Sequence, residues 1–275
     1  MTEPLPEDNT VTVIIPTYNA GQGFPDLLDS LQTQTLKPAQ IIIIDSESTD
    51  ETLEMAKRRN CKVITINRSD FDHGTTRNLA ISEVSSEFAI FLTQDATPVD
   101  NCMIAELIKP MQANLNIAVC YGRQLPRPNA GPLESFARQF NYPAESILKT
   151  KNDIEKCGLK SFCCSNSCSA IRCSTFEELG GFKNDVIVNE DMLFAAKAIL
   201  QNHSVYYSAT AKVYHSHPYS LLQQGVRRTF RRQEVCPWWP RHSRGLCWVS
   251  AGTCARVHRH CPGQKPPAYH PGSVL

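Results

Sequence analysis

Three short runs set the pattern of this chain: the β-branched residues 11–15, the isoleucines of residues 41–44, and the continuous apolar run Phe88, Ala89, Ile90, Phe91 and Leu92. All three predict strands, and the last, with no polar alternation, predicts one covered on both faces of a sheet. Pro16 is expected to stop the first strand, and Asp45 ends the second. Between them Leu27, Leu28 and Leu31 share one face of a helix reaching Gln32. Ser48, Thr49 and Asp50 can cap a second helix running to about Asn60, and residues 62–66 form a third strand. A strand and a helix alternating within about 30 residues per unit predict a parallel sheet with crossover helices.

The pattern continues with a helix opening near Gly74 and running through residues 80–84, the strand of residues 88–92, a helix over residues 101–112 and a strand over residues 117–121. From Gly122 the proline- and aromatic-rich stretch RQLPRPNAGPLESFARQFNYPAES has no regular period and reads as a loop or lid near a site. Residues 162–171 read as a strand of small side chains, followed by a short helix that Ser174 would cap. In VNEDMLFAAKAIL a helical face is read as Leu193, Ala196, Ile199 and Leu200, with Glu190 and Asp191 in the first turn. Residues 204–207 and 211–214 look like two short closing strands, the second running into His215, Ser216 and His217.

Composition narrows the function classes. A formal net charge of +1 argues against a dedicated nucleic-acid binder. No run reaches the roughly 18–20 apolar residues of a membrane span, and the acidic, polar start does not read as a signal peptide. A cytoplasmic protein is expected, with residues 1–10 a disordered leader. Twelve cysteines are irregularly spaced, without paired CxxC steps, so reduced thiols are expected in place of a disulfide framework or a zinc site.

The strand 88–92 breaks into Thr93, Gln94 and Asp95, which puts a carboxylate where a core strand surfaces. In open α/β sheets the ligand crevice lies at the carboxyl ends of the strands. The alternative is a turn or helix-capping role for Asp95. Gly74, Thr75, Thr76 and Arg77 at a helix start would offer free amides and a guanidinium to a phosphate, with an ordinary surface turn as the alternative. Glu190 and Asp191 suit a helix N-terminus by charge alone. His215 and His217, one residue apart on a strand, would point to one side, either as ligands or as a core or surface pair.

In order and spacing, VTVIIPTYNA, IIIIDSESTDET, FDHGTTRNLA, FAIFLTQDATP, SNSCSAIR followed by GGF, NEDM and VYHSHPYS resemble family 2 glycosyltransferases of the GT-A fold, and within them the rhamnosyltransferase-like group. The resemblance runs from Val11 to Gln224. It implies an α/β GT-A domain over 11–224, a mostly parallel central sheet flanked by helices. It implies an inverting transferase moving a sugar, L-rhamnose from dTDP-L-rhamnose, to a saccharide or lipid-linked oligosaccharide acceptor in surface polysaccharide synthesis.

By the same resemblance Pro16, Thr17, Tyr18, Asp45 and Ser46 would hold base and ribose, and His73, Gly74 and Arg77 would face the diphosphate, with Gln94 and Asp95 beside them. Asp95 matches the first acid of the family's Asp-x-Asp metal motif, but Ala96 and Thr97 follow, so the second acid is missing. His215 or His217 would complete a Mg²⁺ or Mn²⁺ site. Asp191 would be the catalytic base, paired with Glu190. Two alternatives accompany this reading: an inactive remnant that only binds nucleotide, and a family 2 transferase for another sugar. A Rossmann dehydrogenase is disfavoured, because the first strand leads into PTYNAGQG and not a GxGxxG loop.

The resemblance stops at Gln224. Residues 225–275 hold all three tryptophans, four cysteines and one acid, Glu234, among many arginines. This is the usage expected of a shifted reading frame, and the segment is expected to be poorly ordered. Two functional readings compete: a zinc site among Cys236, Cys247, Cys254, Cys261 and nearby histidines, and a basic, tryptophan-bearing contact with the inner face of the cell membrane.

Overall fold

The computed structural model describes residues 10–184, 186 and 189–215. Residues 1–9 of the expected leader, His217 and the arginine-rich tail lie outside these residues. The first three strands are β1 (Val11–Thr17), β2 (Gln40–Asp45) and β3 (Lys62–Thr65), with helices α1 (Phe24–Gln32) and α2 (Thr52–Lys57) between them. Next come α3 (His73–Ile81), β4 (Phe88–Leu92), the two-residue β5 (Thr97–Pro98), α4 (Met103–Ala113) and β6 (Ile117–Leu125). The remainder comprises α5 (Pro132–Asn141), β7 (Ile147–Lys149), α6 (Ile154–Cys157), β8 (Cys168–Arg172), α7 (Cys173–Glu178), α8 (Glu190–Leu200) and β9 (Ser204–Tyr214).

One sheet runs in the order β3-β2-β1-β4-β8-β6-β9-β5, and β7 adds to β9. β3, β2, β1 and β4 are mutually parallel, β8 is antiparallel to β4 and β6, and β6 and β9 are parallel. The strand Phe88–Leu92 is covered on both faces, as its unbroken apolar run implies, and β1 and β2 share that burial. Val13, Ile15, Ile43, Ile90 and Leu92 pack with Leu27, Leu28, Leu107 and Ile108 of α1 and α4 on one side. Ile14, Ile42, Ile44, Ala89 and Phe91 pack with Ala80, Phe176, Phe194 and Ile199 of α3, α7 and α8 on the other. At roughly 25 cal/mol per Å² of apolar area, two such cores supply the main favourable contribution to folding.

Several expectations are corrected. Pro16 does not stop β1, which continues to Thr17. The carbonyls of Val11 and Thr17 bond towards β2 and that of Thr10 towards β4. Pro16 therefore faces the β4 side, where pairing has already ended at Ile14 opposite Phe91, and its missing N–H costs no ladder bond. Of residues 162–171 only the part from Cys168 on is strand. Arg172, not Ser174, occupies the cap position of α7. The buried face of α8 is Phe194, Ala195, Ala198 and Ile199, and Leu200 is exposed. The two closing strands are one strand, β9, whose register against β6 slips where Gly122 pairs Ser208 and Arg123 pairs Lys212. The irregular stretch contains a helix, α5, opened by Pro132 in its first turn, where a missing N–H is harmless.

Candidate active site

The topology brings six strand ends to one edge. β1, β2 and β4 end there at Thr17, Asp45 and Leu92, and β6 and β9 end there at Leu125 and Tyr214. Because β8 is antiparallel, its beginning lies there, with Cys168 opposite Leu92.

On the β1–β2 side Asp45 is fully buried and its carboxylate is held on both oxygens. Thr17 Oγ1 donates to Oδ1 at 2.9 Å and the Ser48 amide to Oδ2 at 2.8 Å. Ser46, also buried, continues the ladder by donating its amide to the Thr17 carbonyl at 2.9 Å. Gln94 is committed to the backbone of Tyr18: its Oε1 accepts the Tyr18 amide at 2.9 Å and its Nε2 donates to the Tyr18 carbonyl at 3.1 Å. That pair of bonds extends the β1–β4 contact beyond the strands and fixes where the Tyr18 ring emerges. The Arg68 guanidinium lies over that ring, 3.8 Å from its centroid.

At the start of α3, Asp72 is the cap, and its Oδ1 accepts the amides of Gly74 at 3.0 Å and Thr75 at 2.8 Å. The free amides expected to face a phosphate are thus already satisfied by a carboxylate of the chain. Gly74 is a glycine for a second reason, since a Cβ there would collide with the Lys183 carbonyl. His73 is the first residue of α3, and its carbonyl accepts Arg77 Nη1 at 3.0 Å. Arg77, expected to face the diphosphate, is buried, and its Nη1 donates to Glu190 Oε1 at 2.9 Å, with side chains only 5% and 7% exposed.

Asn166, which the sequence reading did not single out, joins both acids at the start of α8. Its Nδ2 donates to Glu190 Oε1 at 3.1 Å and its main-chain amide to Asp191 Oδ2 at 3.1 Å. Asp191 Oδ1 accepts the Met192 amide at 2.7 Å. Asn189 precedes the pair in a left-handed conformation, φ 73°, which turns the chain into α8. Burial, with the Asp191 charge beside it, pushes the Cys164 thiol well above its ordinary value.

On the far side of β4, Asp95 and His215 meet, with His215 Nε2 3.4 Å from Asp95 Oδ1. Pairing of Thr97 with Tyr214 between β5 and β9 brings them together. His215 Nδ1 lies 2.9 Å from Gln124 Oε1, and its amide donates to the Leu125 carbonyl at 3.0 Å. Arg138 of α5 also donates to Gln124 Oε1, and Arg127 Nη2 donates to the Asp95 carbonyl at 2.7 Å. A part-exposed carboxylate beside an imidazole, each steadied from behind, is a donor set that fits Mn²⁺ or Mg²⁺. Among the described residues no cluster of three or more His, Cys, Asp or Glu forms around it, so phosphate oxygens and waters would fill the remaining positions. Gln124, Arg127 and Arg138 fall in the irregular stretch, where no periodic signal distinguished them.

The comparisons agree with one another. The family model Glycosyl transferase family 2 matches residues 12–180. The chain is 48% identical over 219 residues to the O-antigen chain rhamnosyltransferase RfbN of Salmonella typhimurium, covering 79% of this chain and 69% of that protein. It is 44% identical over 218 residues to the O-antigen chain rhamnosyltransferase WbaN of Salmonella anatum, covering 78% and 69%. Among solved structures, a mannosyltransferase from Pyrobaculum calidifontis in complex with GDP-Man and Mn²⁺ superposes with a TM-score of 0.60 at 19% identity, over 82% of this chain and 61% of that one. Staphylococcus aureus TarS 1–349 with UDP-GlcNAc gives 0.60 at 20% identity, over 82% and 66%. These likenesses establish the GT-A fold. With the family model spanning more than half of its length and two relatives above 40% identity, the chain belongs to glycosyl transferase family 2.

Proposed function

We propose that the protein is an inverting rhamnosyltransferase of O-antigen synthesis, transferring L-rhamnose from dTDP-L-rhamnose to a saccharide carried on a growing glycan. The substrate class rests on the likeness to RfbN and WbaN, both O-antigen chain rhamnosyltransferases. The chemistry rests on one observation: a part-exposed carboxylate, Asp191, anchored by two main-chain amides at the strand edge where Asp95 and His215 also converge.

The nucleoside lies against Thr17 and Tyr18 in this reading, with the Tyr18 ring offering a face for stacking and the buried Asp45 holding Thr17 and the Ser48 turn in place behind them. Asp95 and His215 would hold a divalent cation, which supplies charge neutralisation as the diphosphate departs. Asp191 accepts the proton of the acceptor hydroxyl as its oxygen attacks the anomeric carbon from the side opposite the diphosphate. One carbon–oxygen bond forms and one breaks, dTDP leaves, and the configuration inverts. No covalent enzyme intermediate is needed. The alternative of an inactive remnant is not favoured, since Asp45, Asp95, Asp191 and His215 are all present and embedded in specific contacts. Among the described residues no helix is long and apolar enough to cross a membrane, and a lipid-linked acceptor would be met by peripheral contact.

Calorimetric titration with dTDP, UDP and dTDP-L-rhamnose, with and without Mn²⁺, tests the reading. Binding of dTDP that is tighter than that of UDP and strengthened by Mn²⁺ is the expected result. A folded protein that binds neither nucleotide overturns it.

A further inference from the structure

Two adjacent acids begin α8, and only one of them can be the base. Glu190 points inward. One of its oxygens accepts both Arg77 Nη1 at 2.9 Å and Asn166 Nδ2 at 3.1 Å, and the side chain is 7% exposed. Asp191, the next residue, is part-exposed and meets Asn166 through the main chain at 3.1 Å. Asn166 therefore touches both acids, with its side chain on one and its amide on the other. It is 2% exposed, and its own Oδ1 accepts Ser169 Oγ of β8 at 2.8 Å, so the amide group cannot turn over without losing bonds at both ends. Among the described residues, His73 also packs on Arg77 and the Cys164 thiol lies on the Asp191 side.

We infer that Asn166 is the positioning residue of the acid pair: its amide group and main chain lock Glu190 into the Arg77 ion pair as a strut and leave Asp191 alone to take the acceptor proton. The inference rests on the transferase reading above, in which Asp191 is the base, and adds what holds Glu190 and Asp191 apart. It follows from a geometric constraint. At successive positions of a helix start the two side chains diverge by about 100°, so a carboxylate fixed on Arg77 cannot also reach the substrate. Arg77 and Glu190 are 113 residues apart in the chain, and their ion pair ties α3 to α8 behind the base. The Asn166 loop ties both to the start of β8.

The test uses the full chain carrying Asn166→Ala, Asn166→Ser, Glu190→Gln or Asp191→Asn. Turnover of dTDP-L-rhamnose and dTDP affinity are measured, together with the carbon-13 signal of the Asp191 carboxyl across pH. Asn166→Ala is expected to lower kcat by roughly 100-fold, the scale of a misplaced reacting group, with donor KM and dTDP affinity unchanged. Asn166→Ser keeps a short donor and recovers part of that loss. Glu190→Gln keeps the shape and an acceptor oxygen, so turnover falls only about tenfold. It also lowers the Asp191 titration midpoint, because a neighbouring negative charge is gone. Asp191→Asn loses roughly 10²–10⁴ in kcat.

Glu190→Gln as silent as Asp191→Asn, with dTDP binding intact, removes the division between strut and base and overturns the assignment. Loss of kcat, KM and dTDP affinity together in both Asn166 variants reduces Asn166 to a structural residue. Should Asn166→Ala not fold, Asn166→Ser and Glu190→Gln decide the same question. The carboxyl titration needs no turnover. A chain that fails to bind dTDP sinks the donor reading alone, whereas an Asp191 midpoint indifferent to Asn166→Ser and Glu190→Gln sinks the clamp.

Discussion

At the scale of single residues, the Asp95–His215 and Arg77–Glu190 pairs differ in burial, and that difference sets what each substitution does. Asp95 is 35% exposed at the side chain and faces His215, so its charge is hydrated and its loss costs little fold stability. Asp95→Asn is therefore expected to leave the urea midpoint in place, whereas His215→Ala empties a buried, hydrogen-bonded position and lowers it; both are expected to abolish the strengthening of dTDP binding by Mn²⁺, read by calorimetry. Equal Mn²⁺ enhancement in the variants removes both residues from the cation site. Arg77 and Glu190 are nearly sealed from water. Breaking such a pair strands a buried charge, at a cost of about 3–5 kcal/mol, whereas replacing both partners by apolar residues is often neutral. Arg77→Leu should destabilise by that amount in urea unfolding, and Arg77→Leu with Glu190→Leu should recover most of it. An Arg77→Leu chain as stable as the parent would show that the pair carries no structural load.

At the scale of elements, Gly122 decides how the β6–β9 edge delivers Gln124 to His215. A Cβ on Gly122 would stand 2.7 Å from the Ala211 carbonyl oxygen and 2.8 Å from Cys168 Sγ. The register slips at this point, between Gly122 opposite Ser208 and Arg123 opposite Lys212. Such bulges re-aim the side chains that follow. Gly122→Ala should cost about 1–3 kcal/mol through overpacking and weaken Mn²⁺-dependent nucleotide binding in the same protein. A variant with reduced stability but unchanged cation dependence would separate the bulge from the site. The first half of the sheet was legible because β1, β2 and β4 are buried on both faces, so each is a largely apolar run that leads into a polar residue. Elsewhere periodicity misled for identifiable reasons. Ala195 and Ala198 carry too little apolar weight to reveal the buried face of α8 against Leu200. The bulged β9 carries a polar break at Thr210 that reads as two strands. Asp95, Asp191 and His215 could be named from motifs. Asn166, Gln124 and Arg138 could not, because single polar residues acquire their roles from partners up to 91 positions away.

At the scale of the whole molecule, the thiols concentrated around β6 and β8 couple stability to alkaline pH. The eight cysteines of the described residues are all free. Burial pushes Cys61 up to about 11 and Cys168 and Cys173 up to about 12, from an ordinary value of 9.0. Burial also holds Cys120 and Cys164 well above that value. A group whose folded value is raised contributes stability that is fully present below its unfolded value and is lost as pH climbs through the folded one. The window therefore opens near pH 9, where unfolded thiols ionise, and extends to about 12 for Cys168. Lys149 acts in the opposite sense. Burial lowers its value from 10.5, so the folded chain regains stability as pH rises between the lowered value and 10.5. The thiols outnumber it, and the urea midpoint is expected to fall steadily from pH 8.5 to about 11, less steeply once Cys61 and Cys173 are replaced by alanine. Alkylation gives an independent reading, because the thiolate is the reacting form. Iodoacetamide at pH 8 should label exposed Cys157 in the folded chain and reach Cys120 and Cys168 only after unfolding, as resolved by peptide mass spectrometry. A midpoint flat to pH 11, or prompt labelling of Cys168 in the native protein, would mean that the sheet between β6 and β8 opens far more readily than its buried contacts require.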